Sequence, residues 1–571
     1  MQGYAYILTH PGTPVIFYDH FYDFGIHDVI TELIEARRRA GIHCRSSIKI
    51  YHANNEGYVA QVGDALVMKL GQFDWNPSKE NQLEGSWQKF VDKGSDYQQP
   101  SKWHLNIELS QPCMYSNPPI LDLYKMGIPH FLAIPFPIQG HVNPLMQFSQ
   151  VLAKHGCKVT FLHTEFNHKR ANTAGASHDN NHEGSQIKLV TLPDGLDPED
   201  DRSDVLKLLL SMNSTMPALL PKLIEDINAL DVEDKITCVV VTINMGWALE
   251  VAHKLGIKGA LLCPASATSL ASAACIPRLI EDGIIDSEGR PTKKQEIQLS
   301  PDIPMMDTED LPWRGFSKTF FEHLVQEMQT LELGDWWLCN TTNDLEPGAF
   351  SISPKFLPIG PLMSNESNNS SFWQEDTACL QWLDQQPPQS VVYVAFGSLA
   401  IMEQNQFQEL ALALDLLNKP FLWVVRPSND NKGNNNAYPH DFVGSKGKIV
   451  GWAPQKKILN HPSIACFISH CGWNSTLEGV CSGVPFLCWP FSTDQFLDKS
   501  YICDVWKTGL GLDKDENGLI SREEIRKKVE KLVGNEEVKA RSLKLKEKTL
   551  NSVEEGGQSS KNLNMFINWA K

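Results

Sequence analysis

The stretch FISHCGWNSTLEGV, Phe467–Val480, holds the densest group of residues that could do chemistry. Apolar residues lead into Ser469 and His470, Cys471-Gly472-Trp473 turns the chain, and Asn474-Ser475-Thr476 stands where a helix takes its N-cap, with Glu478 inside the first turn. Such a helix start presents unsatisfied backbone N–H groups and the positive end of the dipole, so the expected ligand is an anion. A second candidate is His141 in FPIQGHVNP, in a loop directly after an apolar strand. Imidazole titrates near neutral pH and suits proton transfer, and that loop is where ligands sit in doubly wound folds. Taken alone, the first feature could equally be a structural turn with a core Trp, and the second a surface or core histidine.

Two strand–helix series must position these residues. From Met126, IPHFLAIPFP, IQGHVNPLMQFSQVLAKHG and CKVTFLHT read as strand, amphipathic helix with a glycine stop, and strand. Buried-strand runs follow at 236–241, 259–264 and 336–341. After a polar hinge at 363–372, a second series opens at 390–400 and continues at 420–425, 448–455, 465–470 and 484–490. The expected fold class is α/β, two facing Rossmann-like domains with a cleft between them, preceded by a mostly-β segment. The expected divisions are 1–97, a linker over 98–125, a domain at 126–362, the hinge at 363–372, a domain at 373–553, and a last helix within 554–571.

Composition narrows the function. A chain of 571 residues exceeds one core, and 42% hydrophobic with 21% charged residues describes a globular protein. A net charge of -17 argues against general nucleic-acid binding and against docking on anionic membranes. There is neither a bilayer-length apolar run nor a signal-peptide pattern. The 13 cysteines form no CxxC pair, so reduced thiols and a cytoplasmic location are expected.

The segment Trp452–Gln495, WAPQKKILNHPSIACFISHCGWNSTLEGVCSGVPFLCWPFSTDQ, resembles the sugar-nucleotide signature of the plant family 1 UDP-glycosyltransferases, complete from first Trp to closing Asp-Gln. The wider resemblance covers Met126–Lys571. It implies a GT-B type fold and inverting transfer of glucose from UDP-glucose to a hydroxyl of a small lipophilic plant metabolite, phenolic or flavonoid in type. It further implies a monomer that needs no metal or other cofactor. Residue by residue, it implies that Trp452 stacks on uracil, with Ala453 and Gln455 beside base and ribose. His470 would donate to the α-phosphate, while Asn474, Ser475 and Ser398 of FGSLA hold the diphosphate. Glu478 would accept from the ribose, and Trp473, Asp494 and Gln495 would meet the sugar hydroxyls, Gln495 favouring glucose. His141 matches the family's general base. The aspartate that normally orients this base matches Thr242 in CVVVTINMGWALEVA, so the relay position has no acid, and Asp231 and Asp234 come too early to replace it. A threonine cannot stabilise imidazolium electrostatically. The alternative is therefore a sugar-nucleotide-binding protein with weak or no turnover. Acceptor contacts are expected near Ile138, Met245 and LLCPASATSL.

Two acidic stretches compete for a metal reading. DKDENGLISREE fits a calcium-loop template through Asp513, Asp515, Asn517, Gly518 and Glu524. Upstream, however, KTGLGL reads as a short strand and not as the entering helix such a loop needs. A turn followed by a helix N-capped by Ser521, with Glu524 completing a capping box, is expected instead. DPEDDRSD, 197–204, reads as a solvated loop. The first segment, Gln2 to about Tyr97, resembles the C-terminal part of plant α-amylases. The catalytic acids of that family lie on earlier barrel strands, which are absent, and Asp19, Asp23 and Glu32 are not those acids. Residues 1–125 thus read as a non-catalytic appendage of the kind a fused gene produces, with glucan binding as the alternative.

Overall fold

The computed structural model describes residues 27–40, 42, 46–54, 56–71, 73, 75, 87–94, 104–110, 128–173, 187–230, 234–362, 375–398, 400–426 and 442–571. The chain divides into two compact units, Met1–Met126 and Gly127–Lys571. The hinge expected at 363–372 lies outside the described residues.

The first unit holds a helix, α1 (His27–Arg39), and a five-stranded antiparallel sheet. Its strands are β1 (Ile48–Asn54), β2 (Gly57–Val62), β3 (Leu66–Gly71), β4 (Trp87–Gly94) and β5 (His104–Ser110), in the order β1-β2-β3-β5-β4. The expected linker over 98–125 is corrected here, because β5 sits inside the sheet, between β3 and β4. HLNIELS alternates apolar and polar residues with period two, which is a strand pattern. It is short, and the proline-rich run after it obscures the signal. Ile30, Leu33, Val59, Val62, Leu66, Met68 and Ile107 are buried in this unit.

The second unit contains two parallel sheets. The first has β6 (His130–Ile134), β7 (Lys158–Thr164), β8 (Ile187–Leu192), β9 (Cys238–Val241), β10 (Lys258–Cys263), β13 (Trp336–Cys339) and β14 (Phe356–Pro358). A two-stranded hairpin, β11 (Glu296–Ile297) with β12 (Met306–Asp307), stands apart. The second sheet has β15 (Val391–Ala395), β16 (Phe421–Val424), β17 (Gly447–Val450), β18 (Ile464–Ser469), β19 (Phe486–Cys488) and β20 (Gly509–Gly511). Central strands such as FLAI, CVVV and VVYVA are apolar throughout because helices cover both faces.

Strand order fixes where ligands can sit. The first sheet runs β14-β13-β10-β9-β6-β7-β8 and the second β17-β16-β15-β18-β19-β20. In the first, the chain moves outward from β6 to β8 and then restarts on the other side at β9. In the second, it moves from β15 to β17 and restarts at β18. Each sheet therefore has a topological switch point, between β6 and β9 and between β15 and β18, where a crevice opens beyond the carboxyl ends of the strands. His141 and Thr242 follow β6 and β9, while Ser398 and His470 follow β15 and β18. Among the described residues, hydrogen bonds that tie the two halves include three below the crevice. Trp473 Nε1 donates to Asn340 O at 2.9 Å, Trp506 Nε1 donates to Leu345 O at 3.1 Å, and the Thr268 and Tyr501 hydroxyls meet at 2.7 Å.

The last helix, Gln558–Ala570, packs on the first sheet's own core. Phe566 stacks at 5.7 Å from Phe131 and lies 6.0 Å from Phe148, and Asn562 Nδ2 donates to Pro358 O at 2.7 Å. Among the described residues, no helix is long and apolar enough to cross a membrane. Because Phe566 is fully buried between two aromatic rings, Phe566→Ala is expected to cost about 3–5 kcal/mol. That loss would show as a lower urea midpoint for the second unit; an unchanged midpoint would contradict this packing.

Candidate active site

His141 lies in the first turn of the helix Gln139–Lys154 and not in the expected loop. Ile138 is the N-cap, and no acid occupies the first turn to neutralise the positive helix end. His141 Nδ1 lies 3.0 Å from Thr242 Oγ1. The same oxygen accepts the Phe136 N–H at 2.8 Å, and the Phe136 ring meets the imidazole edge-on at 5.6 Å. Burial pushes the His141 imidazole down to about 3, so it is neutral at physiological pH. Among the described residues, no carboxylate hydrogen-bonds His141. Asp234 instead pairs with Lys158 and approaches His130 at the opposite end of β6.

His141 opens onto a cavity of about 910 Å³, lined from both sheets. On its side lie Phe136, Ile138, Asn143, Ile243, Asn244, Pro264, Ala265, Ser269 and Leu270, with Trp313, Phe316, Phe320, Leu324 and Met328 as an apolar wall. Met245 is a correction: it is 1% exposed and belongs to the core, while Asn244 faces the cavity. Asn244 adopts φ 74°, in the left-handed region.

Opposite, Ser398, Trp452, Ala453, Gln455, His470, Trp473, Asn474, Ser475, Glu478, Asp494 and Gln495 all line the same cavity. The helix Trp473–Ser482 begins two residues earlier than its sequence suggested. Gly472 is the N-cap, reached through Cys471 at φ 67°, so Asn474 and Ser475 lie in the first turn and Glu478 in the second. Asn474 Nδ2 donates across the cleft to Gly140 O at 3.0 Å. The Trp473 indole N–H is taken by Asn340, which leaves this end of the ring no free donor. His470 is packed against glycines: a Cβ on Gly397 would lie 2.6 Å from its Nε2, and one on Gly472 would lie 2.5 Å away. Its Nδ1 is buried without a hydrogen-bond partner. Burial, aided by Arg426, pushes this histidine down to about 4, so it too is a neutral donor or acceptor at pH 7. Arg426 holds the Ser398 and Ala400 carbonyls.

Further along the donor face, Tyr393 donates to Gln455 Oε1 at 3.1 Å. Gln455 Nε2 in turn donates to Ser475 Oγ at 2.8 Å and to Glu478 Oε2 at 2.7 Å. Burial raises the Glu478 and Asp494 carboxyls, opposed by hydrogen bonds from Gln455 and Thr493 respectively. Gln495 Oε1 accepts the amides of Phe491 at 2.8 Å and Ser492 at 3.2 Å, which fixes its amide orientation. At the rejected calcium loop, Lys528 Nζ sits 2.9 Å from Asp513 and 3.3 Å from Glu524. Ser521 caps the helix as expected, but Glu524 accepts from Asp513 N–H, so the capping box is one-sided.

Glu327 escaped the sequence reading, as did Tyr393 and Arg426. From the helix Lys318–Leu331 its carboxylate accepts the Gly246 N–H at 2.9 Å, and the amides of Asn244 and Met245 also serve it. It thereby braces the loop that follows Thr242. A Cβ on Gly246 would lie 2.9 Å from its Oε2, so only glycine admits the carboxylate.

This arrangement has known counterparts. Residues 301–548 match the family "UDP-glucoronosyl and UDP-glucosyl transferase", and residues 130–193 match "Glycosyltransferase, N-terminal domain". UDP-glycosyltransferase 83A1 of Arabidopsis thaliana is 42% identical over 463 residues, 78% of this chain and 98% of that protein. The chain belongs to the plant UDP-glycosyltransferases. It is also 32% identical to linamarin synthase 1 of Manihot esculenta, over 77% of this chain and 96% of that one. The solved structure of Phytolacca americana UGT2 with UDP-2fluoro-glucose and pterostilbene is similar at a TM-score of 0.65 and 26% identity, covering 78% of this chain and 99% of that one. The fold of the second unit is thus GT-B, and the protein is a glycosyltransferase that uses a UDP-sugar and a small acceptor. Residues 39–98 match "Alpha-amylase C-terminal beta-sheet domain", a match that ends before β5.

Burial pushes Glu327 up from 4.5 to about 7 against the loop amides that favour its charge. A raised folded-state pKa means stability is greatest below about pH 4.5 and is lost as pH rises through about 7. Glu327→Gln has no charge to bury. Its stability relative to the parent should therefore improve by about 3 kcal/mol between pH 4.5 and 8, at 1.36 kcal/mol per unit. Urea unfolding across that range measures the difference, and a flat difference would contradict the raised value.

Proposed function

We propose that this glycosyltransferase moves glucose from UDP-glucose to a hydroxyl of a small lipophilic metabolite, with inversion at the anomeric carbon. The observation that carries the reading is the joining, in one cavity, of an anion-binding helix start and a histidine on the facing helix start. The uracil would stack on Trp452 beside Ala453 and Gln455, and Glu478 would accept from the ribose. First-turn amides of Trp473–Ser482, with Asn474, Ser475, Ser398 and the neutral His470, would hold the diphosphate. These donors stabilise the charge that grows on UDP as it leaves, so we assign the chain no metal requirement. Asp494 and Gln495 would orient the sugar hydroxyls. The site is complete within one chain, and we assign a monomer.

His141 would take the acceptor's proton on Nε2, which requires the proton-bearing nitrogen to be Nδ1. In that tautomer both Thr242 lone pairs are engaged, by Phe136 N–H and His141 Nδ1–H, and the Thr242 hydroxyl hydrogen has no acceptor among the described residues. A buried unsatisfied donor costs about 1–3 kcal/mol. In the other tautomer the Thr242 hydroxyl donates to Nδ1 and every group is satisfied, but Nε2 then carries a proton. This cost favours a second reading, a sugar-nucleotide binder with weak turnover.

UDP release from UDP-glucose by the full chain, with a panel of phenolic acceptors, separates the two. The parent is expected to turn over, and His141→Ala to lower kcat/KM by about 10²-fold or more toward a neutral hydroxyl. Turnover only after Thr242→Asp, with UDP-glucose bound equally by both proteins, would establish the second reading.

A further inference from the structure

Thr242 changes more than the strength of a base. It puts a neutral hydroxyl beside His141 where a carboxylate would carry a charge. An anion at the acceptor position meets no negative repulsion from this pair, and it faces a helix end whose first turn holds no acid. With Phe136 N–H on one lone pair of Thr242 Oγ1, every group is satisfied when the hydroxyl hydrogen donates to Nδ1, which turns Nε2–H toward the cavity. A donor facing the nucleophile suits an oxygen that is already negative.

We propose that the preferred acceptor binds as its oxyanion, an acidic phenol or enol, and that His141 Nε2–H orients this anion by donating to it. The inference rests on the transferase reading above, names its substrate class, and puts donation to an acceptor already ionised in place of His141's role as base toward a neutral hydroxyl. A localised carboxylate fits less well, because the described acceptor wall is Ile138, Phe316, Phe320, Leu324 and Met328, with no lysine or arginine to pair it. A phenolate spreads its charge over a ring that this wall can cover.

The step balances without a base. The acceptor loses its proton to water before binding. Its oxygen then forms the bond to the anomeric carbon, the bond from that carbon to the β-phosphate oxygen breaks, and the electron pair leaves with UDP. The single negative charge of the acceptor passes to the diphosphate. Titratable groups lining the same cavity are His470, Asp494, Glu478, Glu375, Tyr393, Lys456 and Lys457 from the second half, with Glu327 behind the loop after β9, and among the described residues none hydrogen-bonds His141.

The test is the pH dependence of kcat/KM for a series of substituted phenols of graded acidity and one aliphatic alcohol, using the full chain and Thr242→Asp. The parent is expected to gain about tenfold per pH unit below each phenol's own pKa and to level off there, so that the inflection moves with the acceptor. Transfer to the alcohol should be at least about 100-fold slower than to the most acidic phenol, and Thr242→Asp should narrow that gap. An inflection that stays fixed across acceptors in the parent, or equal transfer to alcohol and phenol, would overturn the inference and leave the transferase reading standing. No transfer by either protein to any acceptor, with UDP-glucose bound, would overturn both.

Discussion

The hydrogen bond between His141 Nδ1 and Thr242 Oγ1 joins the ends of two adjacent strands, and the chemistry of the acceptor depends on it. β6 and β9 are neighbours because the first sheet reverses its direction of growth between them. That reversal opens the crevice and places the two side chains at its floor. The Phe136 amide fixes the Thr242 oxygen, and Glu327 holds the amides of the next loop from below. The pair is therefore built into the backbone. Changing one residue of it, from a charged to a neutral partner, alters which protonation states of imidazole the site tolerates.

The donor side follows the same geometry with different chemistry. β15 and β18 meet at the second switch point, and the helix after β18 starts at a glycine, without a side-chain cap to occupy its amides. Close packing of Gly397 and Gly472 on His470 brings the backbone near the imidazole. Tyr393, Gln455, Ser475 and Glu478 are already joined in one hydrogen-bonded chain, so their side chains are ordered before any ligand arrives. The two half-sites face each other because Trp473 and Asn474 bond to the opposite half.

Much of this was legible in the residues. Strands buried on both faces, such as CVVV and VVYVA, announce themselves as apolar runs between turn signals, and the long signature from Trp452 to Gln495 lies on one continuous stretch. What escaped has physical reasons. β5 is an alternating strand of seven residues, too short to stand out beside a proline-rich run. Asn244, and not Met245, faces the cavity because of one left-handed backbone angle that local sequence does not reveal. Glu327 reads as one more polar residue on an amphipathic helix, and the loop it braces lies 81 residues away. The tautomer of His141 depends on an amide from Phe136, which no side-chain motif encodes.

On the proposed reading, one cleft brings a UDP-held sugar and an acceptor oxygen together for a single displacement. The most direct measurement is proton NMR of the sugar product formed from UDP-α-glucose and an acidic phenol. A single displacement gives the β-glucoside of that phenol. An α-glucoside, or free glucose with the phenol unchanged, would contradict it.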